Sequence, residues 1–471
     1  MLQIEFTRLN QKWIIVALVL LAGCVRYQPR PILPTETAAN LEARTLDTPA
    51  FKEFLDKNLQ RQFESWPPKS WDFELLNLAA LYYHPSLDVA RAQWQVTVGG
   101  NKTAAARPNP ILSAVPGYNI SATHGVSPWF PAVTLEVPIE TGGKRAHRRA
   151  QAQHLSESAR LNILVTALQV RSNLRSSLID LTAARERERL LQNQKSIQDK
   201  ILQSLEQQLQ AGAVSSSELT LVRISWDKIR LDLSDAHQQS ADALVRAAGA
   251  IGVSVKALDG LGLAYDLSAR PPGVSDLMSV EVRRQALQSR ADILAALAEY
   301  AASQSALQLE IAKQYPDVHL GPGYQFDQGD HKFSLALTAE VPLLNQNQGP
   351  ISQAESRRTE AAARFNALQS KVITEVDRAL AMYRVSQENL STLDSLAESQ
   401  KKRTESMEAQ LKAGAADQLD LMNSQSELNL NELLQLSARV KLQQSFGALE
   451  DALQRPIDSP QPLLIEQGQR P

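Results

Sequence analysis

The chain has 471 residues, 43% hydrophobic but only 5% aromatic, and its 49 basic and 51 acidic residues leave a net charge of -2. That balance gives no electrostatic case for nucleic acid, and a single cysteine excludes an internal disulfide framework or a cysteine-based zinc site. Past residue 23 no run of 18 apolar residues appears, which excludes a multispan helical transporter.

Arg8 and Lys12 precede an apolar run, Trp13 to Leu21, of signal-peptide length and too short for a comfortable membrane span. The run ends Leu21-Ala22-Gly23-Cys24, which resembles the bacterial lipobox. Residues 1–23 then form a signal peptide and Cys24 becomes the lipidated mature N-terminus; an ordinary secretory signal is the duller alternative. No Asp follows Cys24, and the resemblance then implies the outer membrane as the destination. Residues 24–70, with Pro29, Pro31 and Pro34, make a tether and a short segment leading into the folded part.

Next come a helix (about 73–98), a strand region (about 111–139), a very long helix (about 144–211), a glycine turn and a return helix (about 217–248). The same order repeats as a helix (about 276–315), strands (about 316–343), a long helix (about 351–413) and a return helix (about 418–452). The chain is written twice. Gln208-Leu209-Gln210-Ala211-Gly212-Ala213 is matched by Gln410-Leu411-Lys412-Ala413-Gly414-Ala415, 202 positions on, and Leu135-Glu136-Val137-Pro138-Ile139 by Ala339-Glu340-Val341-Pro342-Leu343. A period near 200 is too long for a solenoid and reads as a duplicated domain. The repeats run 71–252 and 276–455, with a linker at 253–275 and a tail at 456–471.

Lys144 to Ala211 and Ile351 to Ala413 contain neither Gly nor Pro, so each is a helix roughly 90–105 Å long at 1.5 Å per residue. Leu219, Val222, Trp226, Ile229 and Leu233 step by three and four, a coiled-coil seam that faces Ile197, Ile201, Leu205 and Leu209 across the turn.

The strands alternate. Val318, Leu320, Tyr324 and Phe326 oppose His319, Gln325 and Asp327; after Gly329-Asp330, Phe333, Leu335, Leu337, Ala339 and Val341 alternate with Lys332, Ser334, Thr338 and Glu340. In the first half Trp129, Val133, Leu135 and Val137 alternate with Phe130, Thr134 and Glu136, after an irregular strand from Ile111 to Ile120. Each half thus carries a hairpin of about 10–12 residues per strand, the length of a tilted membrane strand. Four strands cannot close a barrel, and an open edge in lipid costs several kcal/mol per unpaired group, so closure needs further copies: two give 8 strands, three give 12.

On these residues the chain resembles the TolC-like outer-membrane factors of tripartite efflux and export systems. The likeness rests on the duplicated strand-and-rod order, the paired Ala-Gly turns with an acidic residue six positions later, and the lipobox. It implies a mainly α fold with membrane β: duplicated long-helix hairpins forming an α-helical barrel, plus a four-strand contribution to a trimeric 12-stranded transmembrane β-barrel. The implied function is passive conduction from a periplasmic adaptor and an inner-membrane pump, of resistance-nodulation-division or ABC type, to the exterior. Partners would be two further copies of the chain, that adaptor and pump, and outer-membrane lipid, with no nucleic acid. Val137 to Arg145 and Asn345 to Gly349 resemble the heavy-metal (cobalt–zinc–cadmium) branch. The rival readings are a periplasmic coiled-coil scaffold or adaptor lipoprotein without a pore, and a cell-envelope enzyme.

Gly212 and Gly414 would sit at the periplasmic tips, where an adaptor can grip; Ser215 with Glu218, and Asp417 or Asp420, would cap the return helices. The resemblance makes Asp420 a candidate pore constriction, against a purely capping or salt-bridging role, while Ala416 replaces an arginine that latches the entrance in some relatives. Lys144, Arg145, Arg148 and Arg149 start a helix whose dipole they oppose; contact with phospholipid headgroups or a solvated face would explain them. The seven histidines (84, 124, 147, 154, 237, 319, 331) form no ligand pattern, and no nucleophile–base pair or phosphate loop appears. No metal site, cofactor or catalysis is expected.

Overall fold

The computed structural model describes residues 27–60, 63–123, 125–272, 284 and 286–457. The signal peptide, Cys24, His124, the opening turns expected of the second repeat and most of the tail lie outside these residues. The chain divides into two compact units at Arg44/Thr45. The first contains helix α1 (Pro34–Glu42), which starts on a proline and buries no residue.

The second unit begins with α2 (Pro49–Leu59), capped by Thr48, and β1 (Ser70–Trp71). The expected helix over 73–98 is two: α3 (Phe73–Tyr83) and α4 (Pro85–Ala105). Pro85 forces His84 out of the helical region, to φ -70 and ψ 123. His84 then caps the new helix by accepting from the Ser86 N–H at 3.3 Å. Helix α4 continues through Gly99 and Gly100 to Ala105, past the expected end. Strands β2 (Ile111–Val115) and β3 (Ala132–Ile139) lead to α5 (Lys144–Gln210), and α6 (Ser216–Ile251) returns. After β4 (Gly262–Leu263), which pairs in parallel with β1, come α7 (Ala291–Ala312), β5 (Val318–Asp327), β6 (Asp330–Ala339), α8 (Gln348–Lys412) and α9 (Gln418–Leu453). Helix α8 starts earlier than expected because Gly349 and Pro350 fall in its first turn, where a missing N–H costs nothing.

Helices α5 and α8 are the two continuous rods. On the sheet side α4 and α7 pack on α5, and α7 also packs on α8; towards the tips α6 and α9 take over those places, with α9 between the two rods. Three apolar clusters hold the second unit. Phe51, Leu55, Trp71, Leu76, Leu174 and Leu178 join α2 and α3 to the middle of α5. Ile293, Val376, Tyr383, Phe446 and Leu449 join α7, α8 and α9. At the tips Ile201, Leu205 and Leu219 pack with Met422 of the other hairpin, with Ile197, Leu209 and Val222 half-buried around them, as the seam predicts.

Between hairpins the contacts turn polar. Asn429 is buried and donates to Leu190 O at 3.0 Å and to Gln194 Oε1 at 2.9 Å. Arg175 pairs with buried Glu450 and passes over Gly447, where a Cβ would come 3.0 Å from Arg175 Cδ. Buried, partnered polar groups of this kind add little net stability, because desolvation offsets their attraction.

Candidate functional site

The four long strands form one antiparallel sheet in the order β2-β3-β5-β6. Its register puts Val133 beside Tyr324, Val137 beside Leu320 and Ile139 beside Val318, then Leu320 beside Leu337 and Tyr324 beside Phe333. Because side chains alternate faces, one face is apolar across all four strands. The other carries Ser113, Thr134, Glu136, His319, Gln325, Lys332, Ser334 and Thr338, together with Gly321 and Gly323, and at the β2 edge the apolar Ile111 and Val115. Phe333 is 82% and Leu337 73% exposed, so this apolar face is no core of the chain that displays it. All ten residues of β6 are exposed, and both β2 and β6 are sheet edges.

The first hairpin is shorter than expected, with strands of 5 and 8 residues. Pro116 ends β2 and Pro128 and Pro131 precede β3; beyond them, among the described residues, pairing is reduced to the bridge Tyr118–Trp129, with Phe130 N–H donating to Gly117 O and Asn119 N–H to Pro128 O. The second hairpin has two strands of 10 residues, joined by Gln328 (φ 54) and Gly329 (φ 102). Positive φ at both positions is the tight two-residue turn that matches strand twist. Strand β6 stops at Ala339, before Val341. Aromatic rings gather at the turn end of the sheet: Tyr118 and Trp129 have centroids 4.9 Å apart, Tyr324 and Phe333 5.4 Å. Aromatic side chains are enriched at bilayer interfaces.

At the opposite end the strands meet the rods. Lys144 Nζ donates to Tyr315 O and to Asp317 Oδ1, each at 2.7 Å, and Thr141 N–H donates to the same Oδ1 at 2.9 Å. Arg145 Nε donates to Ala105 O at 2.8 Å; Arg148 reaches Ala104 O and Ala106 O at 3.1 Å and Glu140 at 2.7 Å. Three of the four cations therefore have partners within the chain and need no headgroup. Arg145 and Arg148 neutralise the carbonyl end of α4, where the helix dipole favours cations, Lys144 instead joins the start of β5, and Arg149 stays exposed. In the second repeat the same joint is made by Asn347 (φ 63), whose Nδ2 donates to Glu310 O at 2.7 Å and to Glu310 Oε2 at 3.0 Å. Partial burial works to raise Asp317, but the Lys144 ammonium and the Thr141 N–H outweigh it and hold that carboxyl below its ordinary range.

These joints escape a reading of the sequence because Lys144 and Asp317 lie 173 residues apart. The sole local signal is the anomaly of cations at a helix start.

At the tips, Gly212 (φ 72) and Gly414 (φ 75) adopt the left-handed conformation. Ala213 N–H donates to Gln208 O at 2.8 Å and Ala415 N–H to Gln410 O at 2.8 Å, so both rods end in the same Schellman-type closure. Ser215 Oγ accepts from Glu218 N while Glu218 Oε2 accepts from Ser215 N. Asp417 Oδ1 accepts from Asp420 N at 2.7 Å, and Asp420 Oδ2 accepts from Asp417 N at 3.4 Å. Both return helices therefore open with a capping box, and the six tip residues named from the sequence occupy two matching turns. No helix among the described residues is long and apolar enough to cross a membrane, and no cluster of three metal-ligating side chains occurs among them.

A profile of the family "Outer membrane efflux protein" matches residues 78–253 and 282–454. The cobalt-zinc-cadmium resistance protein CzcC of Cupriavidus metallidurans is 24% identical over 274 residues, 57% of this chain. The match spans 62% of that relative, less than two thirds of its length. Among solved structures, the outer-membrane channel OprN superposes with a TM-score of 0.67 at 18% identity, over 92% of this chain and 99% of that one. The CmeC outer membrane channel of Campylobacter jejuni gives 0.65 at 15% identity, over 91% and 93%.

Proposed function

This chain belongs to the outer membrane efflux protein family, and we propose that three copies of it close into the exit duct of a tripartite efflux system. In this reading the apolar sheet face meets lipid, the polar face lines a 12-stranded lumen, and the rods enclose a tunnel reaching into the periplasm. The observation that carries the reading is the sheet itself. One face is apolar and exposed, and two edges are unpaired within the chain. The apolar face suits lipid, and the unpaired edges are untenable in a bilayer until neighbouring copies pair with them.

Passive conduction needs no catalytic group; energy would come from an inner-membrane pump of resistance-nodulation-division or ABC type through a periplasmic adaptor. The adaptor would grip the tips at Gly212, Ser215, Glu218, Gly414, Asp417 and Asp420, the last also serving as a constriction. The motif ending at Cys24 would anchor the mature chain in the outer membrane by lipid. Similarity to CzcC and the two branch-like segments favour divalent metal cations as cargo; a deletion strain sensitised only to dyes or antibiotics would reassign it.

The assembly is tested with a Cys24→Ala chain purified in detergent. A particle containing three copies of the chain that conducts ions in planar membranes is the expected result. A water-soluble, non-conducting monomer would sink the duct and leave the scaffold reading.

A further inference from the structure

The polar sheet face carries one acid–base pair that joins no helix and caps no turn. Glu136 lies on β3 between the cross-strand pairs Thr134–Gly323 and Pro138–His319. His319 Nδ1 is 2.7 Å from Glu136 Oε1. That nitrogen is closed to solvent and has no hydrogen-bond partner among the described residues, so its nearest electrostatic partner is the Glu136 carboxylate, with the Asp317 carboxylate also within reach of the imidazole charge. Both side chains remain more than a third exposed, at 39% and about 35%. The surface around them is low. Gly321 faces Ala336, whose Cβ would stand 3.4 Å from a Cβ on the glycine, and Gly323 faces Ser334 and Thr134.

The other charges near this face are mostly neutralised. Towards the rods, Asp317 pairs with Lys144 and Glu140 with Arg148; towards the turn, Asp327 pairs with Lys332 at 2.7 Å. Strand β2 contributes Ile111, Ser113 and Val115, which carry no charge, and β6 sets Thr338 opposite His319. Exposed Glu340 follows the end of β6. Asp330, opposite Asp327 on β6, adds a carboxylate at the turn, and Glu136 with His319 is the imidazole–carboxylate pair at the middle level of this face.

We propose that Glu136 and His319 form a proton-responsive charge-selectivity ring in the barrel; this rests on the reading that three copies close with the polar face inward. With the imidazole neutral each pair carries one negative charge; with it protonated the pair is neutral. Protonation of this imidazole in three copies therefore removes about three negative charges from one level of the pore. Twelve strands spaced about 4.8 Å apart and tilted about 40° give a backbone radius of about 12 Å. The Debye length is about 30 Å at 0.01 M salt and about 3 Å at 1 M, so the ring's field spans the lumen in dilute salt and vanishes in concentrated salt.

The test is the reversal potential of the full chain in planar membranes under a dilute KCl gradient, at pH 8 and pH 5. Wild type should prefer cations at pH 8, and its K⁺/Cl⁻ permeability ratio should fall about twofold or more at pH 5. His319→Gln should keep the high ratio at both pH values, and His319→Lys should show the low ratio at pH 8. Glu136→Gln should lower the ratio at pH 8 yet retain the acid shift. Unit conductance in 1 M KCl confirms that each variant assembles, because the ring is screened there. An acid shift that survives in His319→Gln, or a Glu136→Gln variant with the wild-type ratio at pH 8, would overturn the proposal while leaving the duct intact. A wild-type protein with no conductance would remove the duct and the ring together.

Discussion

Lys144 carries its charge into the first turn of a helix, where the dipole opposes it, and it is buried as well. Its position is tenable because Asp317 and Tyr315 O receive it at 2.7 Å. Replacing it by Met leaves Asp317 with the Thr141 N–H and removes the ion pair between the repeats. The expected cost is about 2 kcal/mol, between the values for exposed and fully buried pairs, read as a lower melting temperature of the assembled protein in detergent. The same carboxylate predicts an acid limb. Its folded-state value is depressed, so its contribution is present above the ordinary Asp value of about 3.9. That contribution is lost as pH falls through the folded-state value. A melting curve from pH 6 downward should be flatter for Asp317→Asn than for wild type; parallel curves would show that the pair does not stabilise the fold. Gly212 makes a smaller case. Alanine there must hold φ 72, costing about 1 kcal/mol. The effect should appear as faster amide exchange at that tip with the global melt unchanged.

Each return helix opens with a reciprocal cap, and at Asp420 the cap coincides with a residue proposed to face the pore. Two substitutions separate the roles. Asp420→Ala removes the acceptor for Asp417 N–H and should loosen the first turn of α9 by about 1 kcal/mol. Asp420→Asn keeps an acceptor and discards the charge, so a fall in cation preference in this variant, with the cap retained, supports the pore role. Unchanged selectivity leaves Asp420 as a cap. The elements themselves are largely legible in the residues. Uninterrupted Gly-free and Pro-free runs mark the rods, period-two alternation gives the strand faces, and Ala-Gly fixes the tips. Local rules also explain the departures: Pro85 divides a helix that the apolar pattern runs together, and Pro116 and Pro131 shorten the first hairpin. What stays hidden is contact between elements. Arg148 against the end of α4, or Arg175 threading past Gly447 to Glu450, depends on which helices lie side by side, and no local spacing encodes that.

The sheet assigns adjacent residues of β6 to opposite surroundings. Leu337 lies on the apolar face and Ala336 on the face beside Gly321. Arginine at Leu337 should cost about 2–4 kcal/mol near the bilayer midplane and abolish insertion, whereas arginine at Ala336 should insert and change conductance. Equal behaviour of the two variants would reverse or dissolve the assignment of faces. The two free edges are also unlike each other, 5 residues of β2 against 10 of β6, so a ring built from them is head-to-tail. Every protomer then donates one margin and accepts another, and no protomer is spared by a healthy neighbour. In a cell making equal amounts of sound and edge-damaged chains, random mixing leaves about one ring in eight free of damage. A lesion at β6 should therefore be dominant, poisoning efflux in the presence of an intact second copy of the gene.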